Sequence, residues 1–379
     1  MTHIKSSREL YKTAERTIVG NTDVIHNLCD STSLQEVKSE CFEKDDPVPN
    51  INSNLLIIGS SGSGKTASVK AVTDQLKIPC IIVNSPEHTA SGWKGKNLSE
   101  TLYSELKRYI INETYSDYSS LFSIIVMDEF DKSLTGMTEY AASSILPDLL
   151  KLMDGTVLGG EKTLEPTINT EHFLWIFLGA FSGIEEIIRK RLNAGKSSLG
   201  FGSELIGKPP PSENIISQVT MDDIKDYDKT EITSQWLGRL HKIVTTDPLT
   251  EDTFRNILLK GENNIISQFD LLFKRTNRCH VTITEDAATA LARKAMQQPE
   301  IGTRALNNLV SDILIPQINI LSNDKRITGL CISTDSLGEP CVEYSRDKTV
   351  IPGKKQAHPK QISHLDQTYD WLSDDDILY

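Results

Sequence analysis

At 379 residues, with 38% hydrophobic and 24% charged residues, the chain has ordinary globular composition and length for about two or three domains. A formal net charge of −12 opposes tight nucleic-acid binding, which rewards a basic face, and no run of about 18 apolar residues marks a membrane span. The six cysteines (Cys29, Cys41, Cys80, Cys279, Cys331, Cys341) form no C-x-x-C zinc pair, and Met1 to Thr17 lacks an apolar signal core, so reduced thiols in a cytoplasmic setting are expected.

Residues 1–50 are polar with short helical stretches and end in the loop Asp45-Asp46-Pro47-Val48-Pro49. From Asn54 short apolar runs alternate with helical segments: Leu55 to Ile58, Ile78 to Val83, Phe122 to Met127 and Phe173 to Leu178. Each run has strand length and is apolar on both faces, as a buried parallel strand requires, and Cys80 within the second reads as core. The intervening helical patterns imply βαβ connections, hence an α/β fold with a doubly wound sheet. Residues 195–215, with Pro209-Pro210-Pro211, have loop composition, and Asp247-Pro248 marks a domain boundary. From Thr250 to Leu321 the pattern is mostly helical, with one strand near Val281 to Thr284. Thr284 also suits an N-cap, with Ala287, Leu291 and Ala295 on one helical face. The last 35 or so residues read as an exposed tail, in which Asp366 to Tyr379 is either disordered or a short partner-binding motif. No internal repeat is visible.

Two segments carry chemistry. Gly59-Ser60-Ser61-Gly62-Ser63-Gly64-Lys65-Thr66 matches G-x-x-x-x-G-K-[ST], after a strand and before a helix. Its glycines let backbone N–H groups curl around phosphates, and the following helix points its positive end at the same anion. Lys65 is expected to reach the β- and γ-phosphates of ATP, and the Thr66 hydroxyl to hold Mg²⁺. Phe122-Ser123-Ile124-Ile125-Val126-Met127-Asp128-Glu129 is a buried strand ending in two carboxylates. Asp128 would serve Mg²⁺, and Glu129 would polarise the attacking water as general base. The adjacent acids favour hydrolysis over nucleotide binding alone.

Further segments resemble the ClpX family of AAA+ protein-unfolding ATPases. Asp128-Glu129-Phe130-Asp131-Lys132 reads like its D-E-I-D-K, and Leu149-Leu150-Lys151-Leu152-Met153-Asp154-Gly155-Thr156 like its L-L-K-L-[IL]-E-G-T. Gly179-Ala180-Phe181-Ser182-Gly183-Ile184-Glu185-Glu186-Ile187-Ile188, Leu237-Gly238-Arg239-Leu240 and Gly302-Thr303-Arg304-Ala305-Leu306 follow in family order. The resemblance covers about residues 10–330. It implies a P-loop AAA+ large domain with a parallel sheet, residues 1–243 including an N-terminal extension of about 15 residues. A smaller, mostly helical lid domain would span 244–335 and a tail 336–379. Ile18-Val19-Gly20-Asn21 resembles the segment that packs on adenine. Arg239 would be an arginine finger, inserted into a neighbour's site to neutralise phosphoryl charge. Arg304 would be the sensor-2 arginine. A finger acting in trans implies a homohexameric ring. No residue is assigned to sensor 1.

The same resemblance assigns the partners. Gly92-Trp93-Lys94-Gly95 occupies the place of the family's G-Y-V-G pore loop, where an aromatic tip between glycines grips unfolded or tagged polypeptide. A second pore loop is expected at Leu134 to Thr138, shorter than usual, and no basic R-K-H loop is visible between Val157 and Thr170. Leu199-Gly200-Phe201 matches the tripeptide that docks on a ClpP-like peptidase. The family's N-terminal zinc domain is not expected. The function implied is ATP-driven unfolding and translocation of proteins, with delivery to a peptidase. Two alternatives are a peptidase-independent remodelling or regulatory ATPase and a nucleic-acid-stimulated motor.

Overall fold

In the computed structural model, which describes residues 6–88, 96–112, 122–134, 145–159, 167–194, 214–228 and 230–346, the four apolar runs lie in one parallel sheet. Helices α1 (Ser7–Thr17) and α2 (Thr22–Glu43) lead into β1 (Leu55–Ile58), α3 (Lys65–Thr73), β2 (Cys80–Asn84), α4 (Leu98–Asn112) and β3 (Ser123–Asp128). Next come α5 (Asp131–Leu134), α6 (Leu146–Met153) and a small antiparallel pair, β4 (Val157–Gly159) and β5 (Thr167–Asn169). Then follow β6 (Phe173–Gly179), α7 (Ile184–Ala194), α8 (Met221–Tyr227), α9 (Glu231–Leu237) and β7 (Lys242–Thr245). The sheet order is β2-β3-β6-β1-β7, and every pairing is parallel. All five carboxyl ends therefore open on one edge, where the connections after β1, β3 and β6 meet.

The period of two along β1 explains why its run is apolar throughout. Leu56 and Ile58 join one core with α4, α6, α7 and α9, whereas Leu55 and Ile57 join the opposite core with α1, α2 and α3. The expected N-terminal extension is part of that second core. Ser6 caps α1 in a reciprocal capping box with Glu9, and Leu10 and Ala14 of α1 are fully buried. The short helical stretches expected before residue 50 include one 22-residue helix, α2, whose Val24, Ile25, Leu28 and Cys29 are buried. Burial pushes the Cys29 thiol up to about 12 and the half-buried Cys80 thiol to about 11, so both stay protonated at neutral pH. The second strand begins at Cys80, two residues later than the sequence suggests, because Pro79 has no N–H to donate. The edge strand β7 was not expected at all.

The remaining residues form a second unit with its own core. Helices α10 (Glu251–Lys260), α11 (Ile265–Asn277), α12 (Glu285–Met296), α13 (Arg304–Leu314) and α14 (Gln317–Asn323) pack with β8 (His280–Ile283), β9 (Ile327–Thr334) and β10 (Pro340–Arg346). Thr284 caps α12 by accepting from Ala287 N–H at 3.2 Å, and Ala287, Leu291 and Ala295 are buried beneath it. The strands form one sheet, β10-β9-β8. The stretch read as tail from residue 336 thus begins with a strand. Its antiparallel pairing with β9 needs a tight turn, which Gly338 supplies at φ +78°, and Val342 and Tyr344 pack on the core. Among the described residues no helix is long and apolar enough to cross a membrane.

Candidate phosphate and nucleotide site

The turn between β1 and α3 has its carbonyls engaged from outside. Lys65 Nζ donates to the Gly59 carbonyl at 2.7 Å and the Ser60 carbonyl at 2.9 Å. The Gly62 carbonyl accepts from Thr303 N–H at 3.0 Å and from its hydroxyl at 2.8 Å. The Ser63 carbonyl accepts from Asn21 Nδ2 at 2.9 Å. What this turn has left for a ligand is mainly N–H groups, and no side chain caps the start of α3. Gly62 and Gly64 adopt left-handed φ values of +69° and +88°. At Gly62 a Cβ would also lie 2.3 Å from the Ile301 carbonyl, so glycine is needed there for the second unit to reach the loop.

The charges beside this turn suit a polyphosphate. Lys65 is buried enough that desolvation lowers its pKa, opposed by Asp128 and Asp131, and its direct hydrogen bonds go to neutral carbonyls. A phosphate would supply the anion that this ammonium lacks. Thr66 Oγ1 donates to Asp128 Oδ2 at 2.9 Å, so a hydroxyl and a carboxylate already converge. Among the described residues no group of three or more His, Cys, Asp or Glu could hold a metal. That donor set fits Mg²⁺, which takes one or two protein oxygens and fills its shell with water and phosphate.

The turns after β3 and β6 brace each other. Phe130 N–H donates to the Leu178 carbonyl at 2.8 Å, and the buried Asp131 accepts from the Ala180 and Phe181 N–H groups, each at 3.2 Å. Glu129 and Phe181 both hold left-handed backbone, φ 54° and 49°, which such bracing must over-determine. Glu129 is exposed and pairs with Lys132 at 2.5 Å.

These parts enclose a cleft of about 440 Å³, lined by Ser61, Gly62, Ser63, Gly64, Lys65, Thr66, Asp128, Glu129, Asp131 and, from the second unit, Arg304. Gly59 and Ser60 do not line it; their carbonyls are held by Lys65. Ala180 and Ser182 also line it, where no sensor-1 residue was assigned from sequence. Across the same loop lies a second cavity of about 230 Å³, lined by Ile18, Val19, Ile257 and Ile265 with Asn21 and Gln268. It shares Ser63, Gly64, Ala67 and Thr303 with the cleft. An apolar slot with a few polar groups, next to a phosphate cradle, has the character of a base pocket.

Three participants were not singled out from sequence, although each lies inside a quoted segment. Asp131 braces the two turns. Thr303 ties the second unit to the loop. Asn21 is buried and joins three residues: beyond Ser63 it reaches Ser68 Oγ, donates its N–H to Asp247 Oδ2 at 2.5 Å and accepts Asp247 N–H at 2.9 Å. Such roles need partners far away in sequence, so no local spacing announces them.

Arg239 does not line the cleft. It follows α9, and its Nε and Nη2 donate to Asp154 Oδ1 and Oδ2, both at 2.6 Å, while Nη1 donates to the Gln235 carbonyl at 2.7 Å. The expected pore loop Gly92, Trp93, Lys94 and Gly95, the peptidase-docking Leu199, Gly200 and Phe201, and all but Leu134 of the second pore loop lie outside the described residues.

Comparison with known proteins places these features in context. The family model AAA domain (Cdc48 subfamily) matches residues 50–243. The ATP-dependent Clp protease ATP-binding subunit ClpX of Borrelia duttonii (strain Ly) is 29% identical over 306 residues, covering 77% of this chain and 68% of the relative. The ClpX subunit of Porphyromonas gingivalis (strain ATCC 33277) is 27% identical over 302 residues, covering 76% and 70%.

Proposed function

Because the chain belongs to the AAA domain family, Cdc48 subfamily, we propose that it binds ATP with Mg²⁺ and uses hydrolysis to unfold and translocate proteins as a homohexameric ring. The observation that carries this reading is the convergence of Lys65, Thr66, Asp128, Glu129 and Arg304 on one cleft built by two structural units. ClpX relatives spanning most of the chain support the choice of protein as substrate, and the net charge of −12 disfavours a nucleic-acid motor.

In this reading the loop N–H groups and Lys65 hold the phosphates, and the base lies against Ile18 and Val19. Thr66 and Asp128 hold Mg²⁺, which would draw electron density from the phosphate oxygens. Glu129 takes the proton of the attacking water, which requires it to leave Lys132. Arg304 reports phosphate occupancy to the second unit, and Arg239 serves a neighbouring subunit. Trp93 grips the polypeptide, Leu199 to Phe201 dock on a ClpP-like peptidase, and the setting is cytoplasmic.

The test is ATP-dependent loss of fluorescence from a stably folded, tagged substrate. Wild type should unfold it and Glu129→Gln should not. Trp93→Ala should hydrolyse ATP without unfolding, and Phe201→Ala should unfold without coupled proteolysis. Hydrolysis by wild type that responds to DNA and never to unfolded protein would reject the reading.

A further inference from the structure

Arg239 and Asp154 are 85 positions apart in sequence, yet they form a side-on pair with two hydrogen bonds of 2.6 Å. The arginine is restrained at other points too. Its Nη1 donates to the Gln235 carbonyl one helical turn earlier, and its own carbonyl accepts from Asn52 Nδ2 at 2.8 Å and Asn54 Nδ2 at 3.0 Å. Asn54 Oδ1 in turn accepts from Trp175 N–H in the central strand β6, so this grip is anchored in the sheet. A guanidinium has five N–H donors in a rigid fork. Three are used here, which leaves two for an anion outside the subunit. The side chain remains 31% exposed, so those donors can be reached.

We propose that Asp154 is a positioning residue for Arg239: it holds the guanidinium in a fixed orientation at the subunit surface, ready for a phosphate in a neighbouring subunit's cleft. The inference rests on the reading of Arg239 as a finger in trans. An unrestrained arginine has many rotamers, and ordering them at the moment of reaction would slow it. A carboxylate that fixes the fork beforehand removes that cost without covering all its donors. Asp154 also ends α6, where its N–H donates to the Leu150 carbonyl, so the finger is referenced to the same helix layer that packs on α9.

Subunit mixing tests this directly. Arg239→Ala subunits have an intact cleft and no finger, and Glu129→Gln subunits have a finger and no base, so turnover in the mixture arises where the second serves the first. Replacing the donor by Glu129→Gln/Asp154→Asn or Glu129→Gln/Asp154→Ala should cut the restored turnover about tenfold or more, by lowering kcat with little change in KM for ATP. A Glu129→Gln/Asp154→Glu donor should recover part of it. The loss should be larger when the Asp154 change sits on the donor than on the acceptor, an asymmetry that a merely structural role would not give. Nucleotide affinity and oligomer mass of each donor check its integrity, and the near-isosteric Asn variant decides if Ala fails to assemble. Donors lacking the Asp154 carboxylate that restore turnover as well as their parent would overturn the inference while leaving the finger in place. No rescue by the parent pair itself would overturn the finger and this inference with it.

Discussion

The cleft and the Arg239 edge are built by opposite rules. In the cleft, the phosphate-side groups come from one turn and two strand ends, and four loop carbonyls are tied off by Lys65, Thr303 and Asn21 within the same chain. At the edge, a cation is held by Asp154 and Gln235 on the subunit surface, away from that cleft. In the proposed reading a single chain assembles the groups that bind nucleotide, whereas the charge proposed to stabilise the transition state lies outside that cleft. Binding and turnover should therefore respond to different changes.

The largest expected separation comes from Arg239→Ala, which should retain nucleotide affinity and lose about 10³-fold or more in kcat, measured by steady-state hydrolysis beside fluorescent-nucleotide titration. Equal losses in both would place Arg239 in its own cleft instead. Glu129→Gln should lose about 10²-fold or more in kcat with affinity kept, because an amide cannot take the water's proton. Asn21→Ala should cost about 2 kcal/mol of stability, since it strands the Ser63 carbonyl and the Asp247 N–H, while the backbone N–H of residue 21 keeps its bond to Asp247 Oδ2. Chemical denaturation reads this, and a midpoint unchanged from wild type would show that the joint is not load-sharing. The smallest effect belongs to Thr303→Ala, which keeps the backbone bond to Gly62 and loses only the hydroxyl bond, about 1 kcal/mol or roughly fivefold in nucleotide affinity.

The same contrast governs what could be read from sequence. The cleft was legible because its chemistry is local: Gly59 to Thr66 are contiguous, and Asp128 and Glu129 close a strand that is buried from Ser123 to Met127. The central strands were legible because a parallel strand covered on both faces is apolar at every position. Edge strand β7 was not, since its four residues run exposed, half-buried, buried, half-buried. Strand β10 was hidden by an exposed, charged outer face that resembles a tail. Helix α2 was underestimated because polar residues surround the few that anchor it. The Arg239–Asp154 pair and the Asn21–Asp247 joint were invisible for a different reason. Each is a single contact across 85 or 226 positions, and one sequence carries no pattern for that.

The most direct test of the division between a self-contained binding cleft and an outward-facing finger is the dependence of specific activity on subunit concentration. A dilute, dissociated chain should bind fluorescent nucleotide with Mg²⁺ and turn it over negligibly, with hydrolysis per subunit rising as the oligomer forms by light scattering. Full hydrolysis per subunit by the dissociated chain would contradict it.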